Sequence, residues 1–179
     1  MNSNIRLATE ADAQALLFIY EPYIRDTVIT FEIDSPGVDE FRRRIRDTMK
    51  CLPWLVFEDE GKIVGYAYAG RHHERAAYQW SANVSVYLAS THHRKGIGKK
   101  LYTELFRILR AQGYYTLYGG ITLPNAASVA IHESFGFKPT AMYANVGYKF
   151  GKWHDVGWWY LPLRPYDRPA GPPDPDYRL

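Results

Sequence analysis

Three groups of residues in this 179-residue chain have the types and spacing to do chemistry. The first is His92–Leu101, HHRKGIGKKL, shortly after the apolar run Val84-Ser85-Val86-Tyr87-Leu88. Gly96 and Gly98 let backbone N–H groups approach a ligand with no Cβ in the way. A helix opening there adds unpaired N–H groups and a partial positive charge. Arg94, Lys95, Lys99 and Lys100 add mobile cations, and together these suit a pyrophosphate. The same strand–turn–helix also arises for purely steric reasons. It is neither a Walker motif nor a dinucleotide fingerprint, since GxxxxGK[ST] is absent and Leu101 stands where GxGxxG needs glycine.

The second group centres on His132 in IHESFGF. An imidazole serves as acid or base near neutral pH, but it can equally be a helix histidine satisfied by a neighbouring carbonyl. The third is the loop Gly70–Tyr78, GRHHERAAY, where Arg75 could grip a carboxylate with two parallel hydrogen bonds or simply carry exposed charge. The histidine pairs at 72–73 and 92–93 do not predict a metal. Adjacent side chains on an extended chain point apart, and no zinc-ligand spacing is present. No GxSxG elbow occurs. Cys51, at the end of a helical pattern before Pro53, has no activating partner in sequence and reads as a buried structural thiol.

These groups hang on a regular alternation of elements. Ile5–Leu7 reads as a strand, and Thr9 as the N-cap of a helix carrying Ala13, Leu16, Leu17, Ile19 and Tyr20. After the break at Ser35-Pro36-Gly37, a helix over Val38–Cys51 aligns Phe41, Ile45 and Met49, with Arg42, Arg43, Arg44 and Arg46 on a solvated face. Trp54–Glu58 and Ile63–Ala69 form a hairpin, and a long strand runs from about Tyr78 to Leu88. The glycine turn opens a helix to about Ala111, closed by Gly113. Tyr115–Ile121 is a strand, Asn125–Phe135 a short helix ended by Gly136, and Pro139–Val146 and Trp153–Leu161 are the last strands. Trp153, Trp158 and Trp159 there suit sheet packing or a dimer contact. Residues 164–179 are proline-rich and predict an extended tail after a single domain at 1–163.

Composition narrows the partners. Apolar residues make up 46% and charged residues 23%, the globular range. A net charge of +3 fits an anionic ligand and not a nucleic-acid footprint. No run approaches about eighteen apolar residues, so no membrane partner is expected. One cysteine excludes an intrachain disulfide, and a cytoplasmic location is expected.

VSVYL, HHRKGIGKKL and ITLPNAASVAIHESFGF (Ile121–Phe137) resemble the cofactor-binding motifs of the GCN5-related N-acetyltransferase superfamily. Its usual turn begins with Gln or Arg; here His93 stands first, followed by Arg94. IYEPYIRDTVITFE, PWLV, GYAYAG, AYQW and VGYKFGKWHDVGWW resemble its phosphinothricin acetyltransferase-like branch, over about Ile5–Leu163. The resemblance implies an α/β fold of the α+β kind: a mixed, mostly antiparallel, splayed sheet with helices on both faces. It implies acetyl-CoA as co-substrate, no metal, a homodimer, and direct acetyl transfer to the α-amine of a small amino acid or analogue. Another amine (a peptide N-terminus, a polyamine or a drug) and an acyl-CoA-binding module with weak catalysis stay open as alternatives.

Residue by residue, the resemblance implies that Val86, Tyr87 and Leu88 meet the pantetheine arm and that Arg94, Lys95, Gly96, Ile97, Gly98 and Lys99 take the pyrophosphate. Asn125 and Ser128 would hydrogen-bond coenzyme A, or cap their helix. His132 would be catalytic. His73, Arg75, Tyr78 and Tyr87 would hold the acceptor. Where the branch carries a glutamate base, this chain has Asn83, and an amide cannot accept a proton at neutral pH. Losing base catalysis costs typically about 10²–10⁴-fold, so Asn83 is expected to orient a water that relays the proton to another group.

Overall fold

The computed structural model describes residues 4–176, so Met1–Ser3 and Tyr177–Leu179, the ends of the expected domain and tail, lie outside it. The elements are β1 (Ile5–Leu7), α1 (Ala13–Asp26), α2 (Gly37–Thr48), β2 (Trp54–Asp59), β3 (Lys62–Arg71), β4 (Ser81–Leu88), α3 (Ile97–Gln112), β5 (Thr116–Thr122), α4 (Ala126–Ser134), β6 (Lys138–Lys149) and β7 (Lys152–Pro162). They build one mixed sheet in the order β1-β2-β3-β4-β5-β7-β6. Among the described strands only β4 and β5 run parallel, as a crossover through α3 requires.

Helices cover both faces because the strands are apolar on both. Leu101, Leu105 and Leu109 repeat every four residues along α3 and pack on Ala67, Val84 and Leu117. Each of these leucines is fully buried, worth about 1.5–3 kcal/mol. α4 adds Val129 and Ile131 to the same layer. On the opposite face, Leu16 and Leu17 of α1 and Phe41 and Ile45 of α2 pack against Val56 and Tyr66.

The sheet splays at its parallel joint. β4 and β5 pair through only three rungs, Ser81 with Thr116, Ala82 with Leu117 and Asn83 with Tyr118. Beyond them β4 stays with β3 as far as Leu88, while β5 stays with β7 as far as Thr122. Among the described residues, β4 therefore has no strand partner on its β5 side from Val84 onward.

Several sequence expectations shift. β4 starts at Ser81, and Tyr78 sits in a 3₁₀ turn over Ala76–Tyr78, because β3 runs on to Arg71 and leaves little chain for the connection. α2 stops at Thr48, so the chain turns early and buries Leu52 and Pro53. Cys51 is consequently exposed, not buried. The arginines of α2 are paired with carboxylates: Arg42 with Asp39, Arg43 with Glu40 at 2.7 Å, Arg44 with Glu32 at 2.6 Å and Arg46 with Glu10 at 3.6 Å.

The proline-rich tail is extended but not loose. Trp80 Nε1 donates to Gly171 O (2.9 Å), Tyr115 Oη to Asp167 Oδ1 (2.7 Å), and Asp174 N to Gln112 O (2.7 Å). It is thereby laid along the start of β5 and the end of α3.

Candidate active site

The glycine turn is shaped by backbone conformation. Arg94 and Gly96 both have positive φ, at 62° and 76°, and Gly96 is the residue just before α3. The first N–H groups of α3 have no intrahelical partner, and a Cβ at Gly96 would meet no heavy atom within 4 Å. Gly98 answers a packing need instead, since a Cβ there would lie 3.0 Å from Ile131 Cδ1. Arg94, Lys95 and Lys99 are exposed around the turn, while Ile97 is buried as its anchor. His93, the residue that departs from the family's turn, ties it to α1: its Nε2 lies 3.1 Å from Tyr23 Oη and 3.2 Å from Leu88 O. Tyr23 Oη in turn donates to Leu88 O at 2.6 Å.

A small cavity of about 50 Å³ lies in the gap between β4 and β5, lined by Val86, Tyr87, Tyr102, Asn125, Ser128 and His132 among others. Asn125 caps α4, its Oδ1 accepting from Ser128 N at 3.1 Å, so capping is realised and the Asn125 amide nitrogen and Ser128 hydroxyl are what remain for a ligand. Val86 and Leu88 turn their side chains into the α3 layer. It is the backbone of this stretch, along the open edge of β4, that faces the gap.

His132 is buried at 3% exposure behind Gly119, whose lack of a Cβ makes room for it; a Cβ there would fall 2.6 Å from Nε2. Its Nδ1 lies 2.7 Å from Ser128 O and must carry the proton, which leaves Nε2 to accept from Tyr102 Oη at 3.3 Å. Burial pushes its pKa below the usual imidazole value, against the opposing pull of the Ser128 carbonyl. Burial likewise pushes the Tyr102 phenol up.

Asn83 lies on the other face of the sheet, at the last rung before the splay. Its amide engages an imidazole directly: His72 Nδ1 is 2.8 Å from Asn83 Oδ1. The contact forms because β3 runs on to Arg71, opposite Ala82, and so brings residue 72 close to residue 83. His72 stacks on Tyr118, with ring centroids 4.2 Å apart and planes 18° apart, and presents an edge to Trp158 at 6.1 Å.

The four residues expected to hold the acceptor separate into two places. His73, Arg75 and Tyr78 line one groove of about 310 Å³, shared with Arg71, Pro172 and Pro173. The His73 and Tyr78 rings lie 4.7 Å apart, and His73 Nδ1 accepts from Arg75 N at 3.3 Å. Tyr87 is elsewhere, packed between Tyr20 and Tyr23 at 4.9 and 5.1 Å and lining the cavity. β4 alternation explains the split: residues 83, 85 and 87 share a face, but Tyr78 precedes the strand. No group of three or more His, Cys, Asp and Glu side chains that could hold a metal occurs among the described residues.

Sequence reasoning missed His72, Tyr102 and Tyr118. His72 was legible only as half of a histidine pair; the antiparallel rungs Gly70–Asn83 and Arg71–Ala82 were the signal that places it beside Asn83. Tyr102 sits one residue after Leu101 in a helix read for its apolar stripe.

Comparison with known proteins matches this geometry. A family model described as an acetyltransferase (GNAT) domain covers residues 5–158. The phosphinothricin N-acetyltransferase of Streptomyces viridochromogenes is 39% identical over 94% of this chain and 90% of its own. An L-methionine sulfoximine/L-methionine sulfone acetyltransferase of Salmonella typhimurium is 33% identical over 92% of this chain and 97% of its own. The crystal structure of a phosphinothricin acetyltransferase from Sinorhizobium meliloti in complex with acetyl-CoA superposes with a TM-score of 0.90 at 30% identity, over 95% of this chain and 94% of that one.

Proposed function

The chain belongs to the GNAT acetyltransferase family, and from that premise we propose that it moves an acetyl group from acetyl-CoA to the α-amine of a small amino acid or analogue, of the phosphinothricin or methionine sulfone/sulfoximine kind. The observation that carries this reading is the splay. It leaves a backbone edge for a pantetheine arm, lies beside a turn whose helix N–H groups suit a pyrophosphate, and has a histidine close by on each face, His72 at Asn83 and His132 behind Gly119.

The chain's groups fit that co-substrate. Gly96 and the first amides of α3 would take the pyrophosphate, with Arg94, Lys95 and Lys99 as surrounding charge. The open edge of β4 from Val84 to Leu88 would pair with the amides of the arm, and the Asn125 amide and Ser128 hydroxyl would add side-chain contacts. The thioester then lies near the last rung, between Asn83 and His132. Backbone donors there offset charge growing on the carbonyl oxygen. On the leaving-group side, the Tyr102 hydroxyl, which rests on His132 Nε2, would turn its O–H to the departing thiolate.

For the acceptor, Arg75 is the carboxylate partner we propose, supported by its place in the groove with His73 and Tyr78. Arg75→Ala is expected to raise KM for amino acids by roughly 10–100-fold with little change in KM for acetyl-CoA. An unchanged KM for every amino acid would remove that role.

A homodimer is proposed through the β6–β7 hairpin, whose Met142, Tyr143, Val146, Tyr148 and Trp153 are all at least half exposed. Sedimentation that gives a monomer at assay concentration would overturn it. No helix among the described residues is long and apolar enough to cross a membrane. A cytoplasmic protein, with residues 1–163 as the catalytic domain and 164–179 as its tail, completes the proposal.

The deciding experiment is thiol release from acetyl-CoA across a panel of free L-amino acids and analogues, from about pH 6 to 9. Saturation by small zwitterions, lost when the carboxylate is esterified, is the expected result. Thiol release only with polyamines or peptides would redirect the acceptor. Bound acetyl-CoA with no acceptor-dependent release would overturn the enzyme reading.

A further inference from the structure

Transfer requires the amine to lose a proton on the side away from the leaving thiolate, and Asn83 cannot take it. We infer that Nε2 of His72 is the proton acceptor for the incoming amine, with Asn83 and Tyr118 as the residues that position it. This rests on the acyl-transfer reading of the site and deepens it.

The placement comes from register. Asn83 and Tyr118 form the last rung before β4 and β5 part, and two residues further along the same face Ser85 and Gly120 already line the cavity. β3 ends at Arg71, opposite Ala82, so the next residue sets its ring over that rung. The imidazole is held on two sides, by the Asn83 amide at 2.8 Å and by the Tyr118 ring at 4.2 Å.

Its tautomer is determined as well. Asn83 Nδ2 faces the Arg71 carbonyl at 3.5 Å, which turns Oδ1 toward His72. An amide oxygen only accepts, so His72 Nδ1 bears the hydrogen and Nε2 keeps its lone pair. A neutral amide in this place orients the ring without setting a negative charge against it.

The other candidates around that rung are committed elsewhere. Glu32 pairs with Arg44 at 2.6 Å and accepts from Tyr20 Oη at 3.2 Å. The phenols of Tyr68 and Tyr87 are held protonated by burial. His132 lies on the opposite face, with both nitrogens engaged.

In the step itself, the amine nitrogen forms its bond to the thioester carbonyl carbon and an N–H proton passes to His72 Nε2. The C–S bond breaks as the sulfur leaves with its electron pair. The imidazolium, still donating through Nδ1 to Asn83, then releases its proton to water. Tyr118 and Tyr78 face the ring at 4.2 and 6.1 Å, and its own loop carries Arg71 and Glu74, paired at 3.8 Å, with His73 and Arg75.

The test compares wild type with His72→Gln, His72→Phe and the double variant His72→Gln/Asn83→Glu, using the best amino acid of the panel. Gln keeps a donor for Asn83, and Phe keeps the stack on Tyr118, so whichever folds decides. The expected result is a kcat lower by roughly 10²–10⁴-fold near pH 7 with unchanged acetyl-CoA affinity. The deficit should narrow toward pH 9, as the amine loses its proton unaided. The double variant, which restores a carboxylate at the rung, should recover at least about tenfold. A single variant within about twofold of wild type, or a loss that is the same at every pH, overturns the inference while leaving acetyl transfer standing. A wild-type protein that releases no thiol with any amine removes the acyl-transfer reading, and this inference with it.

Discussion

His132 and His72 show how differently one residue type behaves on the two faces of a sheet. His132 is enclosed behind Gly119 and bonded at both nitrogens, whereas His72 is half-buried at a rim with one nitrogen bonded to Asn83. Burial holds the His132 folded-state value below its unfolded one. The unfolded chain therefore binds more protons as pH falls through about 6.5, so its contribution to stability is full above that value and is lost on the acid side. Thermal melts across about pH 5 to 8 should show a falling Tm on acidification, and His132→Gln should flatten that dependence. The same variant is expected to lower stability at neutral pH by about 1–3 kcal/mol, since the Ser128 and Tyr102 contacts are disturbed. A pH slope identical to wild type would show that His132 does not titrate in this range.

At the scale of elements, function depends on how loops are pinned. The segment between α1 and α2 brings Ile29 to the cavity, and it is clamped from the far side of the sheet by β6. Lys149 Nζ donates to Ile24 O at 2.7 Å and Thr30 O at 2.9 Å, while Phe31 lies where a Cβ on Gly147 would be. Lys149→Met should cost about 1–3 kcal/mol and raise KM for acetyl-CoA, measured by denaturant melts and initial rates. Unchanged kinetics would mean that the segment holds its place without the clamp. The elements themselves were largely legible, because the α3 stripe, the glycine turn and Gly113 are local signals. Tyr78 and Cys51 were misplaced because a 3₁₀ turn and an early helix stop depend on how much chain β3 and the buried Leu52-Pro53 pair consume. His72 was not legible, because its meaning arises only once two strands distant in sequence are set in register.

For the molecule as a whole, the arrangement is a sheet pulled apart at one joint, with each half held by its own neighbours. The tail belongs to this larger design. It crosses from Pro162 at the end of β7 to the groove that contains Arg75, held by Trp80, Gln112 and Tyr115. Removing residues 164–179 should lower stability by roughly 2–4 kcal/mol, the scale of these few hydrogen bonds. It should also change KM for the amino acid while leaving KM for acetyl-CoA as it was. Equal KM values in the truncated protein would show that the groove lies outside the acceptor's path.

One consequence concerns how readily this enzyme's choice of acceptor could change over generations. The side of the groove supplied by Pro172, Pro173 and Pro175 comes from the last stretch of described chain, outside the sheet and both cores. Insertions or deletions within residues 164–176 would remodel that wall while sparing the turn, the splay and the histidines. On the proposed reading of the groove, choice of acceptor would rest on a stretch outside the sheet, and acetyl transfer on the sheet itself.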